Sequence, residues 1–337
     1  MAEVNAWVAT SLNGESGLRW RALPRADCGP EQVRIATHAV AVNYPDVLIT
    51  RGQYQLKLDP PFVPGSEAAG IAIEVGRAVR GLTLGDRVLT IGGFGCFAQE
   101  VVVTPSFQQV HRMPDSMSFA EGAGFGMVYG TAIHGLRRRA QLRPGETVLV
   151  LGAGGGCGSA AVGVAAAMGA RVIAAASTAE KCEFAARLGA AQTINYGSDD
   201  LRERAMELTG GAGVDVVFDP VGGNLFDPAR RCVGWNGRYL VVGFAGGNIP
   251  VLPINYPLIK SISVIGVAFG MSAIKDPRAN KEDFVQLFDW YRRGELSVGP
   301  ANRVAFAALP DACAKMYAGG AIGKLVMDVP CAEEQTR

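Results

Sequence analysis

The sequence predicts an α/β protein in which a doubly wound parallel sheet accompanies a second, mostly antiparallel β domain. Three features predict this fold. Strands and helices alternate through the middle of the chain, short β-rich runs fill its first third, and a glycine-dense turn joins one strand to one helix. A length of 337 residues favours about two domains. Because 49% of the residues are hydrophobic and 19% are charged, the chain can bury a sizeable core.

The first third of the chain carries the predicted antiparallel domain. Apolar residues recur there with a period of two, and glycine, proline and aspartate bound each run, which is typical of antiparallel strands. These strands are expected at residues 31–42, 70–76, 86–93 and 99–105.

The predicted parallel sheet begins after about residue 116. Ser118 and Glu121 have the spacing of a helix-capping pair. Strands and helices then alternate, which indicates a parallel sheet with helices on both faces. Strands are expected at residues 147–152, 171–177, 192–196, 214–220 and 238–244, and helices at 159–169, 179–189 and 200–210. Later come a predicted strand at 261–269, a helix at 282–294 and a last strand at 324–329.

The charge and cysteine content disfavour several classes of protein. The chain has 32 basic and 31 acidic residues, without the basic excess of a nucleic-acid or anionic-membrane binder. Its 7 cysteines are scattered with no Cys-x-x-Cys pair, which indicates reduced, intracellular thiols. The N-terminal stretch carries Glu3 and lacks the pattern of a signal peptide. We therefore expect a cytoplasmic protein with no nucleic-acid and no membrane partner.

An uncharged run at residues 147–170 is long enough to span a bilayer. Several glycines interrupt it, and they would destabilise a lipid-exposed helix but suit a strand, a tight turn and a buried helix. The run is therefore interpreted as part of a protein core.

The turn at residues 152–158 has the chemistry of a phosphate-binding loop. Bare backbone N–H groups can approach a pyrophosphate there, and the following helix presents its positive end to the anion. The glycine register stays open, because both G-x-G-x-x-G and G-x-x-G-x-x-G spacings fit. A strand before the loop and a helix after it make nucleotide binding the favoured interpretation.

The end of the second strand indicates which nicotinamide nucleotide binds. An NAD site would place Asp or Glu there to accept from the ribose hydroxyls. This strand ends in Ser177, and Lys181 follows one helical turn later, where it can meet a 2′-phosphate. Glu180 is the one rival, since it could bind a ribose, but beside Thr178 it could equally cap the helix. The pattern favours NADPH over NADH.

Nearly the whole chain resembles the medium-chain dehydrogenase/reductase superfamily, and within it the zinc-independent NADPH:quinone oxidoreductase branch. The resemblance lies in residues 42–54, 61–70, 85–88, 129–136, 143–158, 169–181, 188–196, 213–223 and 323–329. It implies a discontinuous GroES-like catalytic domain at 1–122 and 268–337, and a Rossmann NADPH-binding domain at 123–267. It also implies a homodimer in which the apolar edge at residues 261–269 pairs with the same edge of the second copy. An edge strand this apolar would favour aggregation if it stayed unpaired.

The resemblance further implies that no metal is bound. The zinc branch would need a cysteine near residues 44–46 and a histidine where Ser66 precedes Glu67, and this chain has neither.

The resemblance also assigns cofactor contacts. It implies that Asn43 lies near the nicotinamide ribose and that Thr131 packs by the nicotinamide. It also implies that a trio, Ser177, Lys181 and Tyr196, surrounds the 2′-phosphate. The full set is Asn43, Thr131, Gly155, Gly156, Cys157, Ser177, Lys181, Tyr196, Gly243, Phe244, Ala245, Val267, Ala268 and Phe269.

The expected reaction is hydride transfer from NADPH to a quinone or to an activated C=C bond such as that of an enone. The charge that develops on the substrate oxygen needs hydrogen-bond donors. Tyr54, where quinone oxidoreductases and enoyl reductases place a tyrosine, is the candidate donor, with Asn43 as orienting group and Asp46 as relay. Each also has a purely structural alternative. Leu48 stands where some quinone reductases carry a second tyrosine.

Two other functions stay open. Residues 42–54 also resemble the enoyl reductase modules of polyketide synthases, so an enoyl-thioester reductase is one alternative. The other is a non-catalytic NADPH-binding protein. Turnover of NADPH with a quinone, an enone or an enoyl-CoA discriminates among the three.

Overall fold

The computed structural model describes residues 2–299 and 302–330 of the chain. The chain forms two compact units. The first unit comprises Met1–Met127 and Pro300–Arg337, and the second comprises Val128–Gly299.

The strands in chain order are β1 (Glu3–Ala9), β2 (Leu18–Pro24), β3 (Val33–Val42), β4 (Glu67–Val75), β5 (Arg87–Ile91), β6 (Glu100–Val103), β7 (Gln109–Arg112), β8 (Thr147–Leu151), β9 (Arg171–Ala176), β10 (Gln192–Asn195), β11 (Val214–Asp219), β12 (Val233–Val241), β13 (Ser263–Gly266), β14 (Asn302–Ala305) and β15 (Leu325–Asp328). The α-helices are α1 (Tyr44–Thr50), α2 (Phe119–Ala123), α3 (Gly126–Ile133), α4 (Gly156–Ala167), α5 (Ala179–Arg187), α6 (Leu201–Leu208), α7 (Phe226–Arg231), α8 (Asn255–Lys260), α9 (Phe269–Lys275), α10 (Pro277–Arg292) and α11 (Leu309–Tyr317). A π-helical segment, His134–Arg139, continues α3.

The first unit is built on a seven-stranded sheet. Its order is β14-β15-β3-β4-β5-β7, with β6 also paired to β3. All its ladders are antiparallel except β14 with β15. β1 and β2 form a separate antiparallel pair. The expected mostly antiparallel domain is confirmed by these ladders, and β3 and the first half of β4 lie almost wholly buried at its centre.

The second unit holds a six-stranded parallel sheet. The order β10-β9-β8-β11-β12-β13 is that of a Rossmann sheet, and every ladder in it is parallel. Its central strands are apolar almost throughout because helices cover both faces. The uncharged run at residues 147–170 is accounted for here, since it forms β8, the following turn and α4.

The compact units and the predicted domain boundaries differ at residues 123–127 and 268–299. The family resemblance implied that residues 268–299 belong to the catalytic domain, whereas the structure groups them with the second unit. The physical reason lies in α10, which buries Phe284 and Leu287. Its Asp283 also forms ion pairs with Arg137 and Arg138 at 3.2 and 2.9 Å. The predicted division into domains therefore stays a prediction.

The strand after residue 260 and the helix after Ser118 are both short in the structure. The strand expected at 261–269 extends only over Ser263–Gly266, and α9 begins at Phe269. The capping pair Ser118 and Glu121 is present, but the helix that it starts ends at Ala123. Among the described residues, no helix has the length and apolar character needed to cross a membrane.

Candidate functional site

In the turn between β8 and α4, the structure requires glycine at some positions and not at others. Gly152 has a φ of +59°, in the left-handed region that glycine tolerates. A Cβ on Gly158 would lie 2.2 Å from the Gly152 carbonyl oxygen, so no larger residue fits. A Cβ on Gly155 would meet that oxygen at an ordinary 3.4 Å. Packing therefore requires glycine at 152 and 158 but not at 155, where bare backbone faces the helix end.

Three predicted pyrophosphate contacts stand at that helix end. Gly155 is the N-cap of α4, and Gly156 and Cys157 are its first two residues. The first N–H groups of a helix have no partner within the helix, and its dipole favours negative charge. A helix of twelve residues with a glycine cap can therefore bind an anion through its backbone.

The predicted 2′-phosphate trio comes together at the ends of β9 and β10. Ser177 directly follows β9 and Tyr196 directly follows β10. Lys181 Nζ donates to Ser177 Oγ at 3.3 Å, and the Tyr196 hydroxyl also hydrogen-bonds Ser177. Burial raises the pKa of Tyr196. The stem of Lys181 packs on Gly154, whose Cβ would lie 2.5 Å from it, so the trio adjoins the glycine turn.

The rival of this trio, Glu180, is exposed in the first turn of α5. Thr178 is the residue that caps this helix, because its hydroxyl accepts from the Lys181 N–H at 3.3 Å.

The other predicted cofactor residues of the second unit follow neighbouring strands of the same sheet. Residues 243–245 follow β12, and the Ala245 N–H donates to the Pro220 carbonyl after β11 at 3.2 Å. Residues 267–269 follow β13. Phe269 packs so closely on Gly130 of α3 that a Cβ there would lie 2.3 Å from its ring. Thr131 is the next residue of that helix. Since the carboxyl ends of parallel strands share one edge, these loops lie along the ligand-binding edge of a Rossmann sheet.

Asp219, which the sequence pattern did not single out, organises the loop after β11. Its Oδ1 accepts from the N–H groups of Val221 and Gly222, both at 2.8 Å, and its Oδ2 accepts from the Tyr239 hydroxyl at 2.6 Å. Burial raises the pKa of Asp219 although these three donors oppose the shift. Val221 in turn lies against Gly152. An acid at the end of an apolar strand was the available signal.

The first unit contains a buried polar cluster around the start of α1. Asn43 is the N-cap of α1, and its backbone N–H donates to Asp46 Oδ2 at 2.8 Å. The Asn43 amide Nδ2 donates to Ser66 Oγ at 3.0 Å and to Glu67 Oε1 at 2.9 Å, and Oδ1 accepts from Lys324 Nζ at 2.6 Å. Two predicted site residues, Asn43 and Asp46, are thus neighbours in one network, and both also serve the structure of α1.

Lys324 and Glu67 form the charged centre of this cluster, and sequence reasoning gave neither a role. Lys324 Nζ lies 2.6 Å from Glu67 Oε1 and also donates to the Val42 carbonyl at 3.2 Å. Glu67 Oε2 accepts from the Met127 N–H at 2.8 Å. Glu67 is 1% exposed and Lys324 is 9% exposed, so this is a buried ion pair.

Asp46 has an unusual protonation equilibrium. Burial raises its pKa to about 7, against the opposing effects of the Asn43 N–H, the Ser66 hydroxyl and the Lys324 ammonium. Its Oδ1 is buried without a hydrogen-bond partner among the described residues. A carboxyl group of this kind can hold or release a proton near neutral pH.

Tyr54, the predicted proton donor, lies in the loop after α1 and is half-buried. Burial raises the pKa of its phenol, and the negative charge of Asp46 adds to that rise. Tyr54 and Asp46 are therefore close enough to interact electrostatically. Leu48, at the position of the second tyrosine of some quinone reductases, is half-buried in α1.

Two family models match the chain. The one described as an alcohol dehydrogenase GroES-like domain matches residues 29–115, and the one described as a zinc-binding dehydrogenase matches residues 156–291. The quinone oxidoreductase-like protein 2 homolog of Nematostella vectensis is 39% identical over 279 residues, which cover 82% of this chain and 76% of that protein. The chain belongs to the medium-chain dehydrogenase/reductase superfamily, in its quinone oxidoreductase branch. The predicted family and the GroES-like domain are thereby confirmed.

Two other members of the superfamily add detail. The 2-haloacrylate reductase of a Burkholderia species is 31% identical over 336 residues, covering 96% of this chain and 98% of that protein. The structure of Escherichia coli quinone oxidoreductase complexed with NADPH has a TM-score of 0.85 at 25% identity, covering 96% and 100% of the two chains. This medium-chain dehydrogenase/reductase is therefore an oxidoreductase of the type that uses a nicotinamide cofactor.

The superfamily has zinc-binding members, so the positions of their ligands are informative. Ser66 occupies the place of the expected histidine, and its hydroxyl accepts from Asn43. In residues 2–299 and 302–330, no group of three or more His, Cys, Asp and Glu side chains is placed to hold a metal ion.

Proposed function

We propose that this protein is an NADPH-dependent reductase of quinones or of activated C=C bonds such as those of enones. The observation that carries the proposal is the trio Ser177, Lys181 and Tyr196 beside the glycine turn. A lysine ammonium and two hydroxyl groups suit a dianionic phosphate, whereas the tip of β9 offers no carboxylate to a free 2′-hydroxyl.

The proposal places most of the nucleotide contacts in the second unit. The backbone of Gly155, Gly156 and Cys157 would hold the pyrophosphate, chiefly through the first N–H groups of α4 at Gly156 and Cys157, since the Gly155 N–H already donates to the Gly152 carbonyl at 2.9 Å. Further contacts would come from Thr131 and from residues 243–245 and 267–269. From the first unit, Asn43 would bind the nicotinamide ribose through Oδ1, since both Nδ2 hydrogens already have acceptors.

When bound, NADPH supplies the hydride, and the chain's residues manage the charge and the proton. Tyr54 would donate a hydrogen bond to the substrate oxygen on which negative charge develops. Asp46, whose pKa is about 7, would act as the relay that passes a proton to this oxygen. Asn43 would hold Asp46 in place through its backbone N–H. We propose that the reaction is zinc-independent, because Ser66 stands where the zinc branch would need a histidine and residues 44–46 include no cysteine.

Replacing Lys181 with alanine tests the cofactor assignment. Loss of a charge-assisted hydrogen bond to phosphate costs about 1.5–3 kcal/mol, so the Kd for NADPH rises about 10- to 100-fold. The Kd for NADH changes less than about threefold, because NADH has no 2′-phosphate. Calorimetric titration of both nucleotides provides the measurement, and Arg187→Ala, at an exposed cation of the same helix, is the control. If the variant lost the same affinity for both nucleotides, the trio would no longer support NADPH as the cofactor.

Replacing Tyr54 with phenylalanine tests the proposed donor. The kcat for quinone reduction falls about 100-fold or more if the phenol stabilises or protonates the developing oxyanion, and the KM for NADPH stays unchanged. Steady-state kinetics measures both constants. Tyr44→Phe removes another half-buried phenol of the first unit and is the matched control. A Tyr54→Phe variant with full kcat would show that the ring only lines a pocket.

A homodimer through the β13 edge remains our proposal. β13 ends the sheet order, pairing only with β12 among the described strands. Exposed apolar side chains of the second unit accompany it, namely Ile249, Val251, Ile254, Leu258, Ile259, Val264, Met271 and Ile274. An edge of this kind needs a partner strand to avoid aggregation.

Sedimentation velocity tests the dimer directly. The wild-type chain of 35.4 kDa should sediment as a species of about twice that mass. Val264→Lys should convert it to the monomer, because a charge on the edge strand opposes pairing. Val285→Lys, on the exposed face of α10, should leave the dimer intact. A wild-type monomer at micromolar concentration would contradict the proposal.

The cytoplasmic location stays a prediction from the scattered cysteines.

A further inference from the structure

The buried ammonium group of Lys324 has more partners than a simple ion pair requires. Its Nζ donates to Glu67 Oε1 at 2.6 Å, to Asn43 Oδ1 at 2.6 Å and to the Val42 carbonyl at 3.2 Å. An ammonium group has three hydrogens to donate, so every donor is used. Lys324 is thereby tied to the end of β3, to the cap of α1 and to the first residue of β4.

These contacts fix the orientation of the Asn43 side chain. An amide can usually exchange its oxygen and nitrogen positions by rotation, with little cost when both ends meet hydroxyl groups. Here one end faces an ammonium group, which can only donate, and the other faces the Glu67 carboxylate, which accepts. Only one orientation of the Asn43 amide satisfies both groups. The ammonium group keeps the amide oxygen on the Lys324 side, because it can only donate hydrogen bonds.

The Lys324 charge also matters for the two acids of the cluster. Asp46 and Glu67 are each 1% exposed, and Lys324 supplies the one ammonium group that the structure shows bonded to Glu67 and Asn43. Two buried carboxyl groups close together repel each other when both are ionised. A single cation beside them permits a network in which Asp46 accepts the Asn43 N–H while Glu67 accepts the Asn43 amide.

We infer that Lys324 is a positioning residue for the reduction step, in that its ammonium group locks the Asn43 amide and the Glu67 carboxylate at the start of α1. The segment that it fixes carries Asn43 and Asp46 and leads directly to Tyr54. The inference rests on the proposed function for its kinetic consequence, and on the first unit alone for its structural consequence. Lys324 contacts no reacting atom in this role.

The decisive variant is Lys324→Met/Glu67→Gln, which removes both charges of the buried pair. Because the variant leaves no uncompensated charge inside the first unit, it folds, with a melting temperature close to that of the wild type. If Lys324 positions Asn43, the kcat for quinone reduction still falls about tenfold or more, since a small misplacement of a catalytic segment is costly. The Kd for NADPH rises only about two- to fivefold, because the disturbed Asn43 contact to the ribose is one contact among many and the phosphate contacts lie in the second unit.

Two further variants assign the effect to Lys324. Glu67→Gln alone lowers the free energy of unfolding, because the Lys324 cation loses its buried counter-charge, but the ammonium still donates to Asn43 and the folded variant retains most of the kcat. Lys315→Met removes an exposed lysine from α11 of the same unit and retains all of it. A double variant with wild-type kcat would overturn the inference, and so would a Glu67→Gln variant as slow as the double variant.

A readout without substrate separates this inference from the proposed function. With asparagine labelled by nitrogen-15, the Asn43 side-chain amide signals are identified by their loss in Asn43→Ala. Their exchange with solvent should be at least about tenfold faster in the double variant than in the wild type. Unchanged exchange would overturn the inference. Absence of wild-type turnover with any quinone or enone would overturn the proposed function and leave the exchange result to decide the role of Lys324.

Discussion

Replacing Lys324 with methionine alone is expected to lower the free energy of unfolding by about 3–5 kcal/mol. Methionine has a similar length but no charge, so Glu67 keeps its buried carboxylate and loses the ammonium that lies 2.6 Å away. Asn43 Oδ1 and the Val42 carbonyl also lose their donor. Removing one member of a buried pair is costly because the other charge stays uncompensated in a medium of low polarity.

The pH dependence of this loss follows from Asp46. Its pKa is already raised to about 7 by burial, and the Lys324 ammonium opposes that rise, so the substitution raises it further. A carboxyl group with a higher pKa in the folded than in the unfolded state makes the fold less stable as pH rises toward the folded value. In the wild type the free energy of unfolding stops declining near pH 7. In the variant the decline continues above pH 7. The difference between the two proteins is therefore larger at alkaline than at acidic pH.

Urea unfolding of both proteins at about pH 5.5 and about pH 8.5 measures this difference. Lys324→Met/Glu67→Gln should recover most of the loss, because neither charge is left unpaired. A loss below about 1 kcal/mol at the higher pH is what an exposed ion pair would give, and it would contradict a buried, structurally important cation.

Replacing Gly158 with alanine is expected to abolish tight binding of NADPH. The added Cβ would lie 2.2 Å from the Gly152 oxygen and 2.9 Å from the Ala153 Cα, so the turn between β8 and α4 must open. Because both contacts are with backbone, no side-chain rotation relieves them. The first N–H groups of α4, at Gly156 and Cys157, then lose their common alignment, and the Kd for NADPH rises about 100-fold or more.

Fluorescence titration with NADPH measures the effect. Gly320→Ala is the matched control, since a Cβ at that position would make only ordinary contacts and lies far from the glycine turn in sequence. It should bind NADPH with the wild-type Kd. Wild-type affinity in Gly158→Ala would mean that the turn does not hold the nucleotide.

The proposed cofactor residues of the second unit can be located from the sequence because they follow strands of one sheet. Each strand, loop and helix is local in sequence, so the tip of β9 reveals Ser177 and the next helical turn reveals Lys181. The topology of a parallel sheet then brings the loops to one edge without further information. The same locality made Asp219 readable as the acid at the end of β11, although the sequence analysis gave it no role.

The cluster of the first unit could not be predicted in the same way. Lys324 stands 281 residues from Asn43 and 257 residues from Glu67, and only the pairing of β15 with β3 brings them together. A lysine at the start of an apolar strand is usually exposed at the strand end. The placement of α10 had the same difficulty, because an amphipathic pattern shows which face is buried but not which unit buries it.

The proposed reaction is tested most directly by measuring how the wild-type protein consumes reduced nicotinamide with 1,4-benzoquinone, a simple enone and an enoyl-CoA. We expect NADPH to be oxidised with the quinone or the enone, with one reduced product formed for each NADPH consumed. NADH should support at most about a tenth of that kcat/KM. Turnover confined to the enoyl-CoA, a preference for NADH, or tight NADPH binding with no turnover of any of the three would contradict the proposed reaction.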